Sequence, residues 1–477
     1  MRKTKIVCTL GPATDREGVL RQMILAGMNV ARFNFSHGTH EEHKKRYDEV
    51  DRLRTRYDLP IATLLDTKGP EIRTMNFKEG SVILKEGQEF FLTTKEIEGT
   101  EEGCSVTYAD LPHDVKVGAP ILIDDGLIAM EVIHKTDTTV YCKVKNGGKV
   151  SNHKGINLPG TEISMPFMSD RDKSDLLFGI ENDFDFVAAS FTRTADDIRE
   201  MRQFLADNGG KDIRIIAKIE NAQGVENIDE IIAVSDGIMV ARGDMGVEIP
   251  NEEVPVIQKV IIKKVYEAGK IVITATQMLD SMMHNPRPTR AETTDVANAI
   301  YDGTSAVMLS GETAAGAYPV ESLQTMIRIA ERIEEDINYR QRFRHIDFNE
   351  HDDITAAISH ASVMLAHDMG ARAIITVTKS GFTARMISRF RPAFPIIGFT
   401  PDRKSWRQMN LSWGVTPLML ELKNDTMELL NSAAITARNR GYVENGDITV
   451  ITAGVPIGNV GTTNMVKVHT IGDTVTR

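Results

Sequence analysis

The chain has 477 residues, enough for two or three domains with separate cores. Its 56 lysines and arginines stand against 67 aspartates and glutamates, giving a formal charge of −11 with no block of like charge. That balance argues against nucleic acid or an anionic membrane as a partner.

Three scattered cysteines, Cys8, Cys104 and Cys142, are too few for a disulfide framework or a zinc site. The apolar run Ile6 to Leu10 is too short for a signal-peptide core, and no run approaches the ~18 apolar residues of a membrane helix. A reducing, cytoplasmic setting is expected.

From the start, strand and helix patterns alternate. Strands are predicted at Lys5 to Leu10, Asn29 to Asn34 and Ile61 to Leu65, with helices at Asp15 to Ala26 and Glu41 to Tyr57 between them. The second strand ends in Asn34-Phe35-Ser36-His37, preceded by Arg32; the third ends in Asp66-Thr67, with Glu71 and Arg73 following. From about Glu71 to Pro166 short β-branched strands and Gly-rich turns (KEGS, KEGQ, DDGL, NGGK) predict an all-β insertion.

The βα rhythm then resumes. Helices are predicted at Asp172 to Glu181 and Thr194 to Leu205, with a strand at Asp185 to Ala189. A βαβ unit follows: strand Ile213 to Ala217, helix Asn221 to Ala233, strand Gly237 to Ala241. Further strands at Ile271 to Thr274 and Ser305 to Leu309 bring the total to eight, with helices at Val254 to Ala268 and Val320 to Ile333. Eight repeats argue for a (β/α)8 barrel interrupted after its third strand, with an open doubly wound sheet as the alternative. A charged break, RQRFRHIDFNEHDD, reads as a linker to a third, open-sheeted α/β domain. The expected domains are 1–69 with 168–342 (barrel), 70–167 (β insertion) and 343–477 (C-terminal).

Charged and oxygen-bearing residues recur where the strands end, the edge at which parallel α/β folds bind ligands. Glu220 and Asp244 suit a divalent metal, with Lys218 facing an anionic substrate. Asn34, Ser36, Asp66 and Thr67 suit a hard cation held mainly by neutral oxygens. Arg32 and Arg73 are placed to grip phosphate oxygens. Gly243 and Gly246, ahead of Glu248, suit a turn whose N–H groups receive an anion, and the seventh strand ends in Thr274-Ala275-Thr276-Gln277. Singly, each has a plainer reading: a helix-capping turn at Asn34 to His37, a solvated hinge at Arg73, a loop ion pair between Lys218 and Glu220.

Five stretches in order, Val30 to His37 (VARFNFSH), Thr63 to Arg73 (TLLDTKGPEIR), Ile216 to Asn221 (IAKIEN), Met239 to Asp244 (MVARGD) and Ala275 to Leu279 (ATQML), resemble the pyruvate kinase family, bacterial type without an extra C-terminal extension. The resemblance runs the whole length and implies an interrupted (β/α)8 barrel, a small β-barrel lid and a C-terminal α/β regulatory domain. It implies phosphoryl transfer from phosphoenolpyruvate to ADP, giving pyruvate and ATP, at the last step of glycolysis. Mg²⁺ (or Mn²⁺) would sit on Glu220 and Asp244, and K⁺ on Asn34, Ser36, Asp66 and Thr67. Lys218, Arg73, Thr276 and Arg32 would be catalytic, with Thr276 near the proton delivered to the enolate. Gly243 and Asp244 would help to hold the substrate, and Arg32, Asn34, His37 and Arg171 the nucleotide. Glu71 fits the potassium-dependent branch.

Arg171 stands where the family often has lysine. The loop Thr378-Lys379-Ser380-Gly381-Phe382-Thr383 resembles an effector phosphate loop, while Thr452 to Asn459 lacks the Trp and Arg of relatives activated by fructose 1,6-bisphosphate; AMP and ribose 5-phosphate stay open as effectors. The resemblance also implies a homotetramer. Two other readings are a Mg²⁺-dependent lyase or aldolase acting on a pyruvate enolate, and a metabolite sensor without catalysis. The first gives no reason for the lid or the second cation set, and the second none for Lys218 and Asp244.

Overall fold

In the computed structural model, residues 1–344, 353–423, 425–456, 461 and 463–473 are described. Eight parallel strands form the barrel: β1 (Lys5–Thr9), β2 (Val30–Asn34), β3 (Ala62–Asp66), β4 (Phe186–Ala189), β5 (Arg214–Ile219), β6 (Gly237–Ala241), β7 (Ile271–Ala275) and β8 (Ala306–Leu309). Nearly every residue in them is buried, as expected for strands packed on both faces. They close in the order 1-8-7-6-5-4-3-2. Closure rests on the β1–β8 ladder, Lys5 opposite Ala306 through Cys8 opposite Leu309, which rules out the open sheet.

Several elements depart from the sequence expectation. The first helix starts at Val19, because Gly18 before it sits at φ 76°. The helix predicted at Asn221 to Ala233 is two, Ala222–Glu226 and Ile228–Val234, parted at Asn227. Arg242–Glu248, read as a turn, is a short helix. Strand β5 runs two residues further than expected, so Lys218 lies in the strand rather than past it. A helix at Arg290–Asp302 was not foreseen, although its Thr289/Glu292 capping box was present in the sequence. The charged break begins as a helix, Tyr339–Arg344; the rest of it, 345–352, falls outside the described residues.

Between β3 and β4 the insertion forms a seven-stranded sheet over its own apolar core. Its edge strands, Ile72–Arg73 and Gly103–Ser105, meet through a bridge between Thr74 and Val106, with Met75 N–H on the Ser105 carbonyl at 2.8 Å. The sheet therefore curls into a small barrel.

The C-terminal sheet contains β9 (Ala373–Val377), β10 (Ile396–Thr400), β11 (Val415–Met419), β12 (Ile448–Ala453) and β13 (Met465–Thr470), in the order 11-10-9-12-13. The unforeseen β13 is its antiparallel edge. This domain closes the amino-terminal end of the large barrel. Leu411, fully buried, joins the cluster of Val7, Leu64, Ile216 and Met239 inside the barrel. Asn410 bonds the carbonyls of Asn29 and Pro60, and Arg407 pairs with Asp185 at 2.8 Å. Among the described residues, no helix is long and apolar enough to cross a membrane.

Candidate active site

Lys218 is the centre of the carboxyl-terminal end of the barrel. Its side chain rises from β5 and is only 9 % exposed as a residue. The ammonium lies 3.1 Å from Asp66, 2.9 Å from Glu220 and 2.7 Å from the Ser190 hydroxyl. Burial disfavours that charge, but Asp66 and Glu220 outweigh it and hold the ammonium pKa above its ordinary value.

The two carboxylates behave differently. Burial also works against Asp66, yet Arg32 at 2.6 Å and Lys218 keep its pKa below the usual carboxylate range. Burial pushes Glu220 up to about 7 against the pull of Lys218, and the charge of Asp244 adds to the rise. Glu220 Oε2 also accepts the Phe191 N–H at 2.5 Å. Glu220, its charge disfavoured by burial and by the nearby Asp244, forms with Asp244 a donor pair that a divalent cation would relieve. Among the described residues no group of three or more His, Cys, Asp or Glu could hold a metal. A two-carboxylate site fits Mg²⁺, which commonly takes one or two protein carboxylates and completes its shell with water and substrate phosphate.

The second predicted cation set is also brought together. Asn34 and Asp66 are register partners across β2 and β3, Thr67 follows, and the Ser36 N–H donates to Asn34 Oδ1 at 3.2 Å. The Thr67 hydroxyl lies 3.2 Å from the Ala188 carbonyl and receives the Ser190 N–H at 3.1 Å. Arg32 is buried, bound to Asp66 and, at 2.8 Å, to the Thr9 hydroxyl. His37 is exposed. Arg171 reaches the same loop, donating to the Phe35 carbonyl at 2.9 Å.

On the other side, Arg242 donates to the carbonyls of Ala275 (3.1 Å) and Thr276 (2.7 Å) and pairs with Asp295 at 2.6 Å. It thereby ties the short helix Arg242–Glu248 to the end of β7. Thr276 and Gln277 have φ of 75° and 54°, and Phe191 has 54°. Three non-glycine residues in the left-handed region around one barrel mouth store local strain of the kind found at working sites. Gly243 packs so closely on Thr276 that a Cβ there would lie 2.7 Å from Cγ2.

Arg73 stands apart from Lys218. In the edge strand Ile72–Arg73 of the small barrel it makes a two-point pair with Glu71, 2.8 and 2.7 Å, and donates to the His153 carbonyl. Glu71 and Asp244 both line a cleft of about 220 Å³ between the small and large barrels, with Asp125, Arg193 and Glu248.

Residues 1–323 match the family described as "Pyruvate kinase, barrel domain", and 356–469 match "Pyruvate kinase, alpha/beta domain". The chain belongs to the pyruvate kinase family. It is a phosphotransferase of that family. Relatives include the pyruvate kinases of Staphylococcus epidermidis, 50% identical over 483 residues, and of Sporosarcina psychrophila, 50% identical over 479; each alignment covers 100% of this chain and 82% of the relative. A solved pyruvate kinase from Cryptosporidium parvum superposes with a TM-score of 0.94 at 39% identity, covering 98% of this chain and 96% of that one.

Set against the family motifs, sequence reasoning passed over Ser190. Its hydroxyl touches Lys218, lies 3.2 Å from Asp66 and donates to the Thr67 carbonyl at 2.6 Å. The signal was its place just after β4, the same rule that singled out Asn34 and Asp66. Arg193 was also missed; it pins the carbonyls of Ile163 and Met165, where the small barrel returns to the large one.

In the C-terminal domain, the Thr378 N–H donates to Phe399, the Ser380 carbonyl receives Arg214 of the barrel, and Thr383 shares a hydrogen bond with Thr463 at 2.7 Å. The later loop keeps Thr452 to Pro456 within the described residues, whereas 457–460 lie outside them.

Proposed function

We propose that this chain transfers the phosphoryl group of phosphoenolpyruvate to ADP, yielding pyruvate and ATP in the last step of glycolysis. The observation that carries the reading is the buried ammonium of Lys218, locked between Asp66, Glu220 and Ser190 at the mouth of a closed barrel. Phosphoryl transfer asks for positioned charge rather than covalent chemistry, and a fixed, always-protonated lysine supplies it without reorganisation. Lys218 faces the phosphoryl oxygens and the enolate oxygen as the bond breaks. Arg73 holds the phosphoryl group once substrate competes with Glu71. The first turn of Arg242–Glu248, with Gly243, receives the substrate carboxylate, and Thr276 stands where the enolate carbon gains its proton. Arg32 contributes through Asp66, and Asn34, His37 and Arg171 contact the nucleotide.

Glu220 and Asp244 would hold Mg²⁺ or Mn²⁺, and Asn34, Ser36, Asp66 and Thr67 would hold K⁺; both cations supply positive charge beside the phosphates. The β insertion is read as a lid hinged near Pro70 and Pro166. The loop Thr378 to Thr383 is read as the site of a phosphorylated effector, and the assembly as a cytoplasmic homotetramer. Support comes from the closed barrel, the matched domains and the strand-end geometry.

Replacing Lys218 with Met tests the centre of this reading. Turnover in a pyruvate-release assay should fall about a hundred- to a thousandfold while Mn²⁺ still binds. Near-normal ADP-dependent turnover would refute the role assigned to Lys218.

A further inference from the structure

The loop that follows β2 is held from beneath by one imidazole. Asn34 and Ser36, two of the residues placed at the K⁺ site, flank Phe35, which is buried. His43, near the start of the helix His40–Tyr57, stacks on the Phe35 ring with centroids 4.1 Å and planes 19° apart. His43 Nε2 lies 2.9 Å from the His37 carbonyl. The Phe35 carbonyl receives Arg171, and the Ser36 N–H donates to Asn34 Oδ1. One histidine therefore grips the loop on either side of Ser36.

A carbonyl only accepts, so Nε2 carries the proton and Nδ1 is bare. That Nδ1 is buried without a hydrogen-bond partner, in a residue 3 % exposed. Burial pushes the His43 pKa below its ordinary value despite the bond to His37, which keeps the ring neutral. An unpaired buried nitrogen costs free energy that a phenyl ring in the same space would not incur. What the imidazole adds over phenyl is the N–H on His37. His43 belongs to neither cation set and touches no proposed reacting group; its reach is through Phe35 and His37.

We propose that His43, as its Nε2–H tautomer, is the positioning residue of this loop, setting the separation of the Asn34 and Ser36 oxygens and with it the affinity for K⁺. The inference rests on the K⁺ reading of Asn34, Ser36, Asp66 and Thr67. A site built largely from neutral oxygens draws much of its affinity from their placement, so a displacement of about 0.5 Å in two of them weakens it.

Two substitutions separate the N–H from the bulk of the ring. Glutamine can place an amide N–H near the Nε2 position; asparagine is one bond shorter and leaves the His37 carbonyl unpaired. The full chain is followed by KCl-dependent pyruvate release. It is followed apart from activity by the rise in melting temperature in KCl over choline chloride at equal ionic strength. His43→Asn should raise the K⁺ concentration for half-maximal effect about tenfold in both readouts, and His43→Gln less than about threefold. In both, turnover at saturating K⁺ should stay within about twofold of the parent. Shifts of equal size in the two variants, or turnover that falls with no shift in K⁺ dependence, overturn the role given to the N–H. Should His43→Asn fail to fold, nitrogen NMR of the histidine-labelled parent decides. The signal missing from His43→Gln should show a protonated Nε2 and a bare Nδ1 at neutral pH; the other tautomer, or an imidazolium, refutes the proposal. A parent indifferent to KCl defeats the cation reading and this inference together. A KCl-responsive parent whose variants respond as it does defeats this inference alone.

Discussion

Lys218 shows how a residue's environment settles its chemistry. A lysine on a solvated loop is a mobile point charge; here burial and three oxygen partners fix both its position and its protonation. Glu71 is the second decisive side chain. It holds Arg73 by two hydrogen bonds and lies 3.8 Å from Lys68. Glu71→Lys would free Arg73 and place a positive charge near the proposed K⁺ site. The activity ratio with and without KCl, at ionic strength balanced by choline chloride, should fall several-fold; an unchanged ratio counts against that site. The types of these residues could be read from the sequence. That Arg32 lies under Asp66, and that Ser190 joins Lys218, could not, because both contacts span more than twenty residues of chain.

At the scale of elements, the site depends on strands that stop in one layer and on the short segments that follow them. Arg242–Glu248 was expected as a turn because two glycines flank Asp244, but Gly243 is needed for close packing on Thr276 as well. Gly243→Ala should push Thr276 aside, lowering kcat/KM about tenfold while the melting temperature stays close to that of the parent. A matched loss of melting temperature would show that the glycine serves folding instead. The break at Asn227 was also illegible, since the apolar spacing of Val225, Ile228, Ile231 and Ile232 continues across it. Periodicity reports which face is buried and is silent on a local change of axis.

At the scale of the molecule, the C-terminal domain serves as the floor of the barrel. Leu411→Ala should cost about 2–5 kcal/mol, the usual range for emptying a buried leucine site, read as a lower thermal midpoint; Leu411→Met should recover most of it. Asp183 joins the same interface through Lys404 and Arg407, each at 2.6 Å. Partial burial opposes its charge, but the two cations prevail and its pKa is lowered. A depressed carboxylate contributes stability in full above its unfolded pKa of about 3.9 and loses it as pH falls through the folded value. The acid-side fall in melting temperature should therefore be steeper in the parent than in Asp183→Asn. The pair is partly exposed, so the difference is expected to be small and to shrink in salt.

The sequence alone determined the eight βα repeats, the β insertion after the third, and the residue types at the strand ends, because burial periodicity and strand-end chemistry are local properties of the chain. Tertiary structure alone decided that the sheet closes, that the insertion curls into a second barrel and that Leu411 plugs the floor. Each of these is set by surfaces far apart in sequence meeting in space, and no local pattern encodes which surface will be the partner.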